Sequence, residues 1–175
     1  MSNMVKSWHK QSMTASLRKQ TRRKNESNHQ RQSEFIDFEL SKVSSPKGVS
    51  AFPDGENLTR WLASINGPED TVYEGQHYTL SMEFGPNYPY SPPTVRFVSR
   101  CYHPNVDPRG TICLDILKEK WSPLLTVENL LVSIRSLLAE PNNESPLNSQ
   151  AAQLWSNPTA FRTEMIRFQS TDGNN

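Results

Sequence analysis

"HYTLSMEFGPNYPYSPPTVRFV", residues 77–98, is the stretch from which the fold class is read. Tyr78, Leu80, Met82 and Phe84 alternate with Thr79, Ser81 and Glu83, the period-2 signature of a strand with one face buried. "GPNYPYSPP" (85–93) then turns the chain ahead of a second strand, "TVRFV" (94–98). Upstream, "TRWLASI" (59–65) has the same strand character, and the turn-forming "NGPED" (66–70) follows it. Three short strands separated by turns read most economically as an antiparallel meander.

Helical periods lie on both sides of the strands. In "SEFIDFELSKV" (33–43), Ile36, Leu40 and Val43 stand at i, i+4 and i+7, and "PKG" (46–48) ends that helix. Beyond Trp121, a broad helical face is formed by Leu130, Leu131, Ile134, Leu137 and Leu138. Thr126 is its expected N-cap, and Glu128 suits the positive first turn. "EPNNESP" (140–146) breaks this helix, and "NSQAAQLW" (148–155) reads as a short one. "NPTAFRTEMIRF" (157–168) starts another, with Asn157 as cap and Pro158 at the first helical position. A helix, then strands, then helices give an α+β domain.

A chain of 175 residues is one domain's worth. No apolar run approaches the roughly 18 residues of a membrane span, and the start lacks a signal peptide's apolar core. Two cysteines make no disulfide framework, so the expected setting is reducing: cytoplasm and nucleus. The charge is lopsided. Residues 1–32 carry eight Lys/Arg against the single acid Glu26, a net +7, while the remainder has eleven Lys/Arg against seventeen acids, a net −6. The expected organisation is a basic, disordered extension (1–32), a folded domain (33–169) and a short flexible tail (170–175). "RKQTRRK" (18–24) suits a nuclear-import or nucleic-acid patch and equally a plain solvated arm. Nucleic acid is not the expected partner, and no membrane is expected.

"CYHPNVDPRGTICLD" (101–115) holds both thiols. A structural zinc site takes four ligands, commonly in pairs, and Cys101, His103 and Cys113 have no second pair, so no metal is expected. A disulfide is disfavoured by the compartment. Cys101, between "RFVSR" and Tyr102, reads as a buried, inert thiol. Cys113 follows the Pro- and Gly-containing turn "DPRGTI", where a partner can reach it. A free thiol with a pKa near ~8.5 is a few per cent ionised at neutral pH, enough for thioester exchange. On residue chemistry alone Cys113 is either a nucleophile or a structural thiol.

"HPNV" (103–106), "GTICLDIL" (110–117), "WSPLLT" (121–126), "SLLAEPN" (136–142) and "SPLN" (145–148), in this order and spacing, resemble ubiquitin-conjugating enzymes. The similarity runs from about residue 33 to about 168. It implies an N-terminal helix, a four-stranded antiparallel sheet and C-terminal helices, with no metal or organic cofactor. It also implies that Cys113 takes ubiquitin as a thioester from a ubiquitin-activating enzyme and yields it to a substrate lysine, guided by a ubiquitin ligase. The resemblance gives Asn105 a role in structuring the loop and stabilising the oxyanion, although Asn in "HPN" also reads as a turn former. It makes His103 and Pro104 structural rather than catalytic. Ser145, after Glu144, matches the gate position where many members carry Asp, and reads equally as a helix cap before Pro146. Tyr90, Ser122, Pro123 and Leu124 fall on two loops resembling the ligase-binding surface; the alternative is packing of the Pro-rich turn on its own sheet. Arg31 is the one base at the first helix's start, where the family binds its activating enzyme.

"KGVSAFP" (47–53), "CYHPNV" (101–106), "ICLDILKEKWS" (112–122) and "NPTAF" (157–161) resemble, within the family, the cyclin-selective carriers that work with the anaphase-promoting complex in cell-cycle protein degradation. Two other functions compete. One is a catalytically dead module of the same fold that only binds ubiquitin or a partner, against which Cys113 and "HPN" argue. The other is a carrier of a different modifier; the SUMO-type enzyme usually has two further residues between thiol and tryptophan, which "CLDILKEKW" (113–121) lacks.

Overall fold

The alternation at residues 77–83 becomes a sheet with one dry face: Tyr78, Leu80 and Met82 are buried, while His77, Thr79 and Glu83 are exposed. The computed structural model describes residues 48–170, together with positions 18, 19, 21, 22, 30, 34, 36, 44 and 45. Its sheet is an antiparallel meander of four strands in chain order, with a two-residue piece, β1 (Ser44–Ser45), paired onto one edge. The four are β2 (Val49–Asp54), β3 (Asn57–Asn66), β4 (His77–Glu83) and β5 (Thr94–Phe97). The alternating pattern anticipates three of them to within a residue or two. It does not anticipate β2, because Ser50, Ala51 and Pro53 are weak strand formers and Pro53 sits beside a shift in register.

Three helices follow: α1 (Val127–Ala139), α2 (Ser149–Leu154) and α3 (Pro158–Ser170). Each starts where a side chain caps it. Thr126 Oγ1 accepts from the Asn129 N–H at 3.2 Å, Asn148 Oδ1 from Ala151 at 3.0 Å, and Asn157 Oδ1 from Ala160 at 3.1 Å. Leu130, Leu131, Ile134, Leu137 and Leu138 of α1 are all buried, in one apolar core with Trp61, Ile65, Leu80 and Met82 of the sheet. Gln30, Glu34 and Ile36 are helical, and Ile36 is buried in this core; Leu40 and Val43 lie outside the described residues. The pattern predicts no helix in residues 1–32, yet Arg18, Lys19, Thr21 and Arg22 have helical backbone. All four are exposed. The remaining expectations for that extension, and those for residues 171–175, lie outside the described residues.

Between β5 and α1 the chain forms no further named strand or α-helix, only the 3₁₀ turn Asp115–Leu117. The segment that carries both cysteines is held by single bridges, Arg96 to Thr111 and Val106 to Ile112. Gly110 is the tight point: its φ is +82°, its carbonyl accepts from the Phe97 N–H at 2.9 Å, and a Cβ there would strike the Phe97 backbone. Gly55, in the β2–β3 turn, also has positive φ (+63°) but open space around it. Gly55→Ala should therefore cost about 1–2 kcal/mol, the left-handed penalty alone. Gly110→Ala should add an overpacking cost, for about 2–5 kcal/mol in total. Urea unfolding of both variants checks this; equal losses would show that the close approach to Phe97 carries no weight.

Candidate active site

The irregular segment can pass through the interior because two polar residues satisfy it. His103 and Asn105 are the fully buried polar side chains among the described residues. His103 Nε2 lies 2.9 Å from the Leu137 carbonyl, and the Asn105 N–H donates to His103 Nδ1 at 2.9 Å. These partners fix the neutral tautomer, with the proton on Nε2, and leave no lone pair for general-base work. Burial pushes the His103 pKa down to about 4, partly offset by the bond to the Leu137 carbonyl. Its neighbour Pro104 offers a carbonyl to the N–H groups of Leu147 and Asn148, at 2.8 and 2.9 Å.

Asn105 holds two walls of one groove. Its carbonyl accepts from the Cys113 N–H at 2.9 Å. Its side chain makes a reciprocal pair with the Asn142 backbone: Oδ1 accepts from the N–H at 2.8 Å, and Nδ2 donates to the carbonyl at 2.6 Å. Nδ2 also makes a long contact, 3.5 Å, to the Ser145 carbonyl. Cys113, Asn142 and Ser145 line this groove together with Leu114, Asp115, Lys118, Glu119 and Leu137, around a volume of 370 Å³. Cys113 is partly exposed there, with Lys118 Nζ 3.4 Å from its Sγ. Lys120 is engaged elsewhere, 2.7 Å from Asp115, and its ammonium holds that carboxyl below the usual carboxylate range.

The other thiol is of a different kind. Cys101 is a free, buried cysteine, and burial pushes its pKa well above the ordinary thiol range. Ser145 is exposed at the groove, but the helix-cap reading for it does not hold: α2 is capped by Asn148, three residues later. Tyr90 and Leu124 are 73% and 89% exposed, so they do not pack their loops onto the sheet. That packing is done by Tyr88, which is buried against Phe84 with ring centroids 4.7 Å apart. Trp121 Nε1 donates to the Pro89 carbonyl at 2.8 Å, and this bond ties the Tyr90 loop to the one bearing Ser122, Pro123 and Leu124. Ser122 Oγ accepts from the Leu124 N–H at 3.3 Å. Arg31 lies outside the described residues. Among the described residues, no three His, Cys, Asp or Glu side chains converge as a metal-binding set.

The family model described as "Ubiquitin-conjugating enzyme" matches residues 29–169. The chain belongs to the ubiquitin-conjugating enzyme family. It is 54% identical over 133 residues to the ubiquitin-conjugating enzyme E2-20 kDa of Schizosaccharomyces pombe, covering 74% of this chain and 76% of that one. Its fold matches the solved E2 domain of a Toxoplasma gondii ubiquitin conjugating enzyme with a TM-score of 0.72, at 38% identity, over 80% of this chain and 97% of that one. As a ubiquitin-conjugating enzyme it has ubiquitin, a ubiquitin-activating enzyme and ubiquitin ligases as partners. Among the groove residues that sequence reasoning passed over, Lys118 and Asn142 make the polar contacts to Cys113 and Asn105. The 3₁₀ turn Asp115–Leu117 folds Lys118 back toward the thiol, and Asn142 meets Asn105 across 37 positions of chain.

The buried His103 makes stability pH-dependent with a defined sign. Between about pH 6.5 and about pH 4 the unfolded chain binds a proton at this residue and the folded chain does not. Stability is therefore full above that window and falls as the pH drops through it, by about 3 kcal/mol from this group. Urea unfolding at pH 7, 6, 5 and 4 should show the conjugating enzyme losing about that much more than its His103→Gln variant. Parallel curves for the two proteins would contradict the assignment.

Proposed function

We propose that Cys113 is the thioester nucleophile of this ubiquitin-conjugating enzyme and that the groove beside it receives the acceptor lysine. One observation carries the reading: of the two thiols, Cys113 opens on a groove and Cys101 is sealed in the core. The Cys113 thiolate attacks the carbonyl of the thioester on the activating enzyme, whose sulfur leaves. A substrate amine then attacks the new thioester, the bond to Cys113 Sγ breaks, sulfur departs as thiolate and the amine proton passes to solvent. Asn105 acts chiefly by holding the groove. Its contribution to the oxyanion requires Nδ2 to exchange the long contact with the Ser145 carbonyl for the developing alkoxide, while keeping the 2.6 Å bond to Asn142. Ser145 supports the incoming amine from the gate position without supplying charge.

Tyr90 and Leu124, exposed on tied loops, present an anchor of the kind interfaces use, and we assign ligase binding to this surface with Ser122 and Pro123. The ligase we infer is the anaphase-promoting complex, with cell-cycle protein degradation in cytoplasm and nucleus as the setting; the motifs shared with its dedicated carriers support this. Arg31 stands at the activating-enzyme surface in the same reading, and the basic residues 1–32 tune encounters with the ligase rather than the chemistry.

Loading with activating enzyme, ATP and ubiquitin tests the nucleophile. Cys113→Ala should not load, Cys113→Ser should give at most a slow, reductant-resistant oxyester, and Cys101→Ala should load; the opposite pattern would overturn the assignment. Asn105→Ala should still load but discharge to lysine at least ~100-fold more slowly in a single turnover. Undiminished discharge would remove Asn105 from catalysis. Leu124→Asp should charge normally yet lose stimulation by the anaphase-promoting complex, and equal stimulation across a ligase titration would refute the docking surface.

A further inference from the structure

A substrate lysine arrives at the groove as a cation, so the charges that line the groove decide how readily it enters. Of the lining side chains, Lys118 is positive, Asp115 and Glu119 are negative, and the others are neutral. Lys118 Nζ stands 3.4 Å from Sγ, where its ammonium repels a second one. The Asp115 carboxylate is already engaged: Oδ1 accepts from the Ile116 N–H at 2.8 Å, and Oδ2 holds Lys120 at 2.7 Å. Ser145, on the far wall, has a hydroxyl and no charge. Glu119 is different. It is exposed, and among the described residues no cation forms an ion pair with it. Lys120 senses its charge but is bonded to Asp115. The backbone is held on either side of Glu119, because the Lys118 and Lys120 N–H groups both donate to the Asp115 carbonyl, at 2.9 and 3.0 Å.

We propose that Glu119 is the acceptor-binding residue of this groove: its carboxylate receives the incoming lysine ammonium and brings it to the thioester on Cys113. The inference rests on the Cys113 reading. The bond is made to the protonated amine, so it acts on capture rather than on the chemical step. The amine then gives its proton to solvent, and the neutral nitrogen attacks the thioester carbonyl. An isopeptide C–N bond forms, the C–S bond breaks and sulfur leaves as thiolate. The product is an uncharged amide, so the attraction ends with the reaction and the modified chain can leave. Nucleophiles without a positive charge gain nothing from Glu119.

The test compares two acceptors on the full chain, charged with ubiquitin and freed of ATP, in single turnovers at pH 8 and low salt. Nα-acetyl-lysinamide is a cation under these conditions and hydroxylamine is neutral. In Glu119→Gln the ratio of the lysinamide rate constant to the hydroxylamine one should fall about 2–5-fold, the worth of an exposed ion pair. Glu119→Asp keeps the charge and should restore most of the ratio. Added salt should lower the ratio more in wild type than in Glu119→Gln. Glu144→Gln removes a charge next to Ser145 but outside the groove lining, and should keep the wild-type ratio. A ratio unchanged in Glu119→Gln, a loss that Glu119→Asp does not restore, or an equal loss in Glu144→Gln overturns the proposal alone. A chain that never forms a thioester on Cys113 overturns the nucleophile assignment and this proposal with it.

Discussion

A segment without regular secondary structure can cross a protein core only if its polar groups find partners inside, and here that requirement falls on Asn105. An unsatisfied buried donor or acceptor costs about 1–3 kcal/mol, so each bond made by this side chain and its backbone constrains what lies next to it. The N–H of Asn105 fixes the His103 ring, and through it the C-terminal end of α1. Its carbonyl holds the backbone of Cys113, and its side-chain amide holds Asn142. The bonds to His103 and Cys113 are made by its backbone and the bonds to Asn142 by its side chain, so substituting this residue would release the Asn142 wall.

The thiol's surroundings follow from this arrangement. The wall bearing Cys113 and the wall bearing Asn142 and Ser145 are both fastened to Asn105, so the spacing between them is set by one amino acid rather than by two independently moving loops. A groove with a fixed width suits an acyl transfer in which an extended chain end and a lysine must meet at a single sulfur. Around it, Tyr73 fastens the loop before β4 to the same segment. Its hydroxyl donates to the Tyr102 carbonyl at 2.8 Å, and its ring lies 5.9 Å from that of His103 and 6.0 Å from that of Phe161.

What the sequence disclosed was what local chemistry encodes. The alternation of β4, the apolar face of α1, and the caps Thr126 and Asn157 are written in neighbouring residues, and each is found in place. β2 escaped because Pro53 and the small residues around it carry no strand pattern; its strength comes from pairing with β3. Ser145 could not be told from a cap by its position before Pro146, since both it and Asn148 are good capping residues and only the folded chain decides between them. Periodicity signals neither the Asn105–Asn142 pair nor the approach of Lys118 to Cys113. "HPN" read alone offers a turn former; the fold uses the same amide to join segments 37 residues apart.

Asn105 fastens the far wall of the groove. Amide hydrogen exchange on wild type and Asn105→Ala measures it directly at single residues. If the account is right, the Asn142 amide, which donates to Asn105 Oδ1, loses protection by about tenfold, the worth of roughly one hydrogen bond. The Leu147 and Asn148 amides, which donate to Pro104, and those of β4 should keep most of theirs. Equal protection of Asn142 in both proteins, or a uniform loss across the sheet, would contradict it.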